Sequence, residues 1–325
     1  MSNSCSLARI GPAGAGLDAQ IIYAPERSSW LEMANWAAIR AASAAGVVLH
    51  ELFGSRAHGL LAGITYHRTA PRYAGVPLPT QNVTPERFRE QLTGLLRRGF
   101  NFWPLSRVLE YRNQGLPVPP QTVVLTFDDG YATVHEYAWP VLRELGLPAT
   151  VFLATGYLDS EAPFPWDTWA NRYRDRLPPK AYRPLTVAEC REMTADSRVE
   201  MGAHTTTHQD FRCRPQEFLE DLRESVEFIR LRFGRQEAPF AYCYGSPYRG
   251  FAGDDLAAVA REAGAACGLT TESVLFDLRS DPFRWGRFNV FPWDTSAMLA
   301  AKLGGWFTWA QQLRHRLFRS TRNVR

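Results

Sequence analysis

Apolar residues recur along this chain in two alternating rhythms. Short continuous runs of β-prone residues occur at Leu61–Tyr66, Thr122–Phe127, Ala149–Ala154, Val199–Ala203, Phe240–Tyr244 and Phe288–Phe291, with shorter ones near Phe100–Phe102 and Ala266–Leu269. Each is short and bounded by turn-formers, so each reads as a strand buried on both faces. Between them the spacing changes to that of helices. Thr84-Pro85 supplies a cap and a first-turn proline for a helix through Phe88, Leu92, Leu95 and Leu96, ended at Gly99. A second helical pattern runs from His135 to Leu145 and stops at Gly146, and Thr186-Val-Ala-Glu189 is a capping box. Phe218, Leu222, Val226, Ile229 and Phe233 share one face of a helix that opens at Pro215 and stops at Gly234. A shorter helix is expected from Asp254 to Ala263, and Ser29 can cap another from about Trp30 to Phe53, halted at Gly54.

Strands that alternate with helices predict a parallel α/β sheet with helices outside, either open or closed as a barrel; the uneven spacing does not choose between them. In both architectures the reactive groups belong at the C-terminal ends of strands. The pattern divides the chain into a flexible N-terminus with a helical extension (residues 1–59), one domain (60–295) and a basic C-terminal tail (296–325).

Composition changes this picture little. With 45% hydrophobic and 22% charged residues the chain has the usage of an ordinary folded protein. The 10 Trp residues are many, and most belong to core packing, with some free to line a sugar groove. A net charge of +4 is too mild to argue for nucleic acid, which is not expected as a partner. The basic residues Lys302, Arg314, Arg316, Arg319, Arg322 and Arg325 have no acid among them, and Leu313, Leu317 and Phe318 lie between them. That tail reads as a solvated terminus or as a peripheral contact with an anionic membrane. Cys5, Cys190, Cys213, Cys243 and Cys267 are odd in number and scattered, which argues against a disulfide framework and for a reducing compartment. Met1 to Gln20 has no apolar core of signal-peptide length, so the expectation is a cytoplasmic protein, at most peripheral to the inner membrane face.

The chemistry lies at the strand ends. Thr122–Phe127 runs into Asp128, Asp129 and Gly130. Adjacent carboxylates repel and cost stability unless a cation or a proton-transfer role uses them; the plain alternative is an Asp-Asp-Gly turn. Val199–Ala203 runs into His204-Thr-Thr-Thr-His208, whose imidazoles are spaced to converge on one ion. An Asp/His/His set at one end of a parallel sheet suits Zn, Ni, Co or Mn and leaves positions for water and substrate.

With these motifs in view, the sequence resembles the polysaccharide deacetylases of the NodB-homology type, carbohydrate esterase family 4. Thr126-Phe-Asp-Asp-Gly130 resembles the first motif of that family and His204-Thr-Thr-Thr-His208 the second, and Pro148–Leu153 and Phe240–Gly245 are similar in place. The resemblance covers roughly Leu61 to Phe291 and implies a distorted (β/α) barrel of about seven strands. It implies Asp128 as general base, Asp129, His204 and His208 as ligands of one divalent ion (zinc first, cobalt or nickel as alternatives), and Tyr244 as the residue whose amide holds the oxyanion. The third motif departs from the family: no Arg is present to orient the base, and Cys243 stands where proline is usual. Cys243 reads first as a small buried hydrophobe, with nucleophile or ligand as alternatives. No late Leu-x-His motif follows residue 291, but Ile64-Thr-Tyr-His67 resembles the Tyr-His motif of a circularly permuted bacterial exopolysaccharide subgroup, which implies His67 as general acid; His135 is the competitor. The implied reaction is N-deacetylation of an N-acetylhexosamine-containing glycan. The alternatives are an O-acetyl esterase, another amide hydrolase of the same fold, or a glycan-binding protein with impaired catalysis.

Overall fold

The computed structural model describes residues 44–307. Eight strands form one sheet: β1 (Ala62–Tyr66), β2 (Asn101–Phe102), β3 (Thr122–Phe127), β4 (Ala149–Leu153), β5 (Val199–Ala203), β6 (Phe240–Ala241), β7 (Gly268–Leu269) and β8 (Arg287–Asn289). Seven of them follow the order β7-β6-β5-β4-β3-β1-β8, and β2 pairs beside this path with the start of β3. All of these pairings are parallel. A further parallel bridge joins Leu269 to Trp285, and the Thr270 amide donates to the Trp285 carbonyl at 2.8 Å. The two ends of the path therefore meet, and the sheet curls into a distorted (β/α) barrel. The choice that strand spacing leaves open falls to the barrel.

The described helices are α1 (44–53), α2 (Pro85–Arg97), α3 (Leu105–Gln114), α4 (Trp139–Leu145), α5 (Thr168–Tyr173), α6 (Val187–Ala195), α7 (Pro215–Phe233), α8 (Asp254–Glu262) and α9 (Ser296–Leu303). Local chemistry sets several of their ends. The Thr84 hydroxyl accepts from the Arg87 amide, Thr186 and Glu189 form the reciprocal capping box, and Gly146 and Gly234 end α4 and α7 in the left-handed conformation. Phe88, Leu92 and Leu95 of α2 and Leu222, Val226 and Ile229 of α7 pack into one core with the apolar side chains of β1, β3 and β5. Every residue of β1, β3, β4 and β5 is buried, which explains their unbroken apolar runs.

Four expectations change. The pattern from His135 to Leu145 splits into one wider π-type turn over Val134–Ala138 followed by α4. Strand β6 ends at Ala241, because Tyr244 and Gly245 both take positive φ and turn the chain off the sheet. The segment from residue 296 begins as a helix of the domain: α9 buries Leu299, Ala300, Ala301 and Leu303, and Lys302 pairs with the buried Asp294 at 2.6 Å. Lys302 is thus unavailable to a membrane; the later basic residues of the tail lie outside the described residues. At the other end, α1 is tied to this C-terminal segment by bonds from the Arg56 amide to the Gly304 carbonyl and from the Trp306 ring to the Gly54 carbonyl. The part of the extension before residue 44 also lies outside the described residues. No helix among the described residues is long and apolar enough to cross a membrane. Cys213 is disulfide-bonded, against the expectation from cysteine spacing, whereas Cys190, Cys243 and Cys267 are free and buried.

Candidate active site

Two strand ends build the centre of the site. Beyond β3 the Asp128 amide donates to the Tyr66 carbonyl at 2.9 Å, which extends the β1–β3 ladder by one bond. Asp129 then adopts φ 71° and Gly130 φ 84°. A left-handed Asp is uncommon and costs energy, and here it breaks the strand alternation so that adjacent carboxylates serve different partners. A side chain at Gly130 would be strained by its φ and would also displace Leu153, whose Cδ2 would lie 2.8 Å from the new Cβ. Beyond β5 the His204 amide donates to the Leu153 carbonyl at 2.9 Å. Thr205 and His208 both have positive φ, and the Thr205 hydroxyl accepts from the His208 amide at 2.9 Å, closing the turn. Asp221 of α7 holds the same loop from outside, accepting from the Thr206 amide at 2.6 Å and the Thr207 amide at 3.1 Å.

These turns bring three donors to one point. Asp129 Oδ1 lies 3.4 Å from His204 Nε2 and 3.3 Å from His208 Nε2, and all three side chains are buried. Two ligands bound tetrahedrally to one ion at about 2.0–2.1 Å are themselves about 3.3 Å apart, so this spacing fits a divalent ion. The tautomer fits as well. His204 Nδ1 lies 2.8 Å from the Ala241 carbonyl, which can only accept, so Nδ1 carries the proton and Nε2 keeps its lone pair for the ion. The Trp166 ring stacks on His208 at 3.9 Å and 15°, and Tyr244 meets it edge-on at 5.1 Å. Cys243 comes close too: one ligand atom from each of His204, His208 and Cys243 falls within 4.8 Å of the others. Asp129 is the carboxylate that meets both imidazoles, at 3.4 and 3.3 Å.

Asp128 faces a different partner. Arg287 of β8 donates to it through both arms of its guanidinium, at 2.6 Å to Oδ1 and 2.9 Å to Oδ2. The same Arg donates to the Thr126 hydroxyl at 2.9 Å, the Thr65 hydroxyl at 3.2 Å and the Thr270 carbonyl at 3.2 Å. Residue 63, opposite it in register, is glycine; a Cβ there would lie 2.7 Å from Arg287 Cγ. Burial would raise the Asp128 carboxyl, but Arg287, with His204 and His67, outweighs it and holds the group below the usual carboxylate range. Burial opposes ionisation of Asp129 too, and the bonds from His204 and His208 reverse it, leaving this carboxyl well below its usual range. For His208, burial acts downward, while Cys243 and Asp129 bring it up to about 9.

Residues 115–268 match the polysaccharide deacetylase family. The chain carries a polysaccharide deacetylase domain. Among curated proteins this domain is similar to the poly-beta-1,6-N-acetyl-D-glucosamine N-deacetylase of Staphylococcus aureus strain MRSA252, 24% identical over 200 residues. That match covers 59% of this chain and 61% of the relative, so the chain spans less than two thirds of that protein. The Staphylococcus epidermidis enzyme of the same name is 24% identical over 64% of this chain and 68% of its own length. Two solved structures share the fold. The de-N-acetylase from Aggregatibacter actinomycetemcomitans has a TM-score of 0.62 at 18% identity, covering 75% of this chain and 100% of that one. IcaB from Ammonifex degensii has 0.60 at 21%, covering 76% and 97%.

The structure gathers Asp128, Asp129, His204, His208 and Tyr244, all within the matched residues, with His67, which precedes them, at one end of the barrel. His67 directly follows β1 and remains partly open to solvent; burial lowers its pKa, with Asp129 and Asp128 pulling it upward. The next residue, Arg68, is buried in an ion pair with Asp167 and packed over the rings of Tyr131 and Trp169, which pins the loop that carries His67. Tyr244 has φ 61°, and none of the described residues accepts from its amide. His135 lies elsewhere: it pairs with Glu192 at 3.0 Å and stacks on Trp139. Arg287 is the residue that sequence reasoning missed. It supplies the partner for Asp128 that the third motif lacks, and it comes from β8, two strands along the sheet from β3. The readable signal was a charge at the head of an apolar run, with Phe288 and Val290 on the alternate face.

Proposed function

We propose that this chain is a metal-dependent deacetylase that hydrolyses N-acetyl groups of an N-acetylhexosamine glycan, with poly-β-1,6-N-acetylglucosamine the leading substrate. One observation carries the reading. A buried carboxylate gripped by an arginine lies beside an Asp/His/His set with ligand spacing, at the C-terminal end of the barrel strands. The substrate class follows the staphylococcal relatives, whose names specify that polymer.

Asp129, His204 and His208 would hold the ion, which supplies Lewis acidity toward the acetyl carbonyl and lowers the pKa of water. The remaining work falls to the chain. Asp128, kept ionised by Arg287, accepts the proton of the attacking water. The Tyr244 amide, which donates to none of the described residues, donates to the developing oxyanion. His67, from the β1 end, gives a proton to the departing amine, a step that an amine needs more than an alcohol does. Trp166 and Tyr157, both partly exposed and packed on the buried Phe164, form an aromatic wall beside His208, suited to the apolar face of a sugar.

The test is acetate release from a β-1,6-linked N-acetylglucosamine oligomer and from O-acetylated glycans, after chelation and reloading with Zn, Co or Ni. Release from the amide substrate, lost in Asp128→Asn and His204→Ala, is the expected result. Normal turnover in either variant would sink the site assignment. Turnover confined to O-acetyl esters would replace the amide reading.

A further inference from the structure

The two histidines of the ligand set are anchored unequally. His204 has its second ring nitrogen fixed on the Ala241 carbonyl. His208 Nδ1 is buried and has no hydrogen-bond partner. A metal-bound histidine almost always donates its other N–H to a fixed acceptor, which sets the tautomer and the ring direction. Trp166 and Tyr244 restrain the plane of the His208 ring, but neither contact decides which nitrogen holds the proton.

Cys243 offers what is missing. Its thiol donates to the His204 carbonyl at 3.3 Å and lies 3.3 Å from the Thr205 hydroxyl. Thr205 in turn accepts from the His208 amide, so the sulfur sits inside the turn that links the two ligands. The sulfur is buried, and it falls within 4.8 Å of ligand atoms on both histidines. Asp129 already meets both Nε2 atoms, at 3.4 and 3.3 Å, which frees the sulfur for a role beside the ligands.

We propose that Cys243 is a positioning residue for the metal site, its S–H held by the His204 carbonyl while its sulfur accepts from His208 Nδ1–H in the ion-loaded protein. The thiol thereby keeps both Nε2 atoms turned toward Asp129. This rests on the metal-dependent reading above and adds a residue that acts through His208 rather than on substrate.

The experiment titrates the chelator-treated full chain with Zn(II) and Co(II), comparing wild type with Cys243→Val, Cys243→Ala and Cys243→Ser. Valine and alanine remove the donor and acceptor at different side-chain volumes; serine keeps both. Expected is a loss of Zn(II) affinity of about 10–100-fold in the Val and Ala variants, with Ser recovering most of it. The wild-type Co(II) spectrum should lack a near-ultraviolet sulfur-to-cobalt charge-transfer band. Thermal unfolding of each metal-free variant separates a folding defect from a binding defect. Wild-type affinity in both Val and Ala variants overturns the proposal, as does a Ser variant no better than Ala. A charge-transfer band that disappears in Cys243→Ser also overturns it, because sulfur is then a direct ligand. A wild-type chain that binds neither ion removes the metal-dependent reading as well, whereas tight binding insensitive to residue 243 removes only this inference.

Discussion

Arg287→Met gives the sharpest test of how the candidate base is kept usable. Methionine preserves most of the stem and deletes the fork, which loses two bonds to Asp128 and three to Thr126, Thr65 and Thr270. Both partners are buried, with side-chain exposures of 0% and 2%, so water cannot replace the arginine. Breaking a buried pair from one side costs about 3–5 kcal/mol, a large share of a total stability of roughly 5–15 kcal/mol. With the guanidinium gone, burial away from water dominates at Asp128 and its pKa rises. The sign follows. In wild type the depressed carboxyl contributes stability above its unfolded pKa of about 3.9, and that contribution is lost as pH falls through the lower folded value. In the variant the dependence reverses, and acidification through the raised pKa relieves the unpaired charge. Denaturant unfolding of wild type, Arg287→Met, Asp128→Asn and the double variant measures the coupling. The double variant should be more stable than the sum of single losses predicts, because no charge is left unpaired. The acid limb of acetate release should move to higher pH in Arg287→Met. Additive single losses with an unmoved acid limb would refute the electrostatic argument.

Three further outcomes are expected. Gly63→Ala should cut turnover while leaving metal affinity near wild type, since the new Cβ meets Arg287 Cγ and the Gly286 carbonyl, not the ligand set; unchanged acetate release would contradict this. His67→Ala should abolish turnover of the amide substrate and His135→Ala should not, and the opposite result in paired assays would transfer the acid role to His135. Glu189 is pushed upward by burial but held at about 2 by the two-armed bond from Arg183, so its contribution to stability is present above its unfolded pKa and fades as pH falls toward 2. Glu189→Gln should therefore lower the melting temperature at neutral pH and converge with wild type near pH 2; a constant offset across that range would disprove the linkage.

Much of the barrel was readable because burial on both faces leaves apolar runs such as Thr122–Phe127 without a polar interruption. Helix ends were readable where a side chain performs the capping, as at Thr84 and Thr186. The bounds of the short strands were not: β6 and β7 fall inside the runs Phe240–Tyr244 and Ala266–Leu269 but keep two residues each, set by register with neighbours rather than by their own pattern. The bend that truncates β6 depends on positive φ at Tyr244, which a tyrosine does not announce. At the site, Asp129, His204 and His208 were visible because adjacent or closely spaced residues fall on single turns. Arg287 was not, since its partner is 159 residues away and only barrel closure brings them together. Lys302 was misread for a related reason: a cation in a basic stretch looks solvated until the buried Asp294 is seen beneath it.

The placement of β8 beside β1 has a consequence for the order in which the molecule is made. Asp128 leaves the ribosome long before Arg287, and the strand that neutralises it is the last of the sheet in chain order. Until β8 docks, burying the end of β3 would strand an anion in the interior, so the growing chain has reason to keep that end hydrated. Closing a loop this long is slow relative to local pairing, and only afterwards does the carboxylate acquire its counter-ion. The ion pair between Arg287 and Asp128 is thus a late-maturing feature of the chain, made only once β8 lies beside β1.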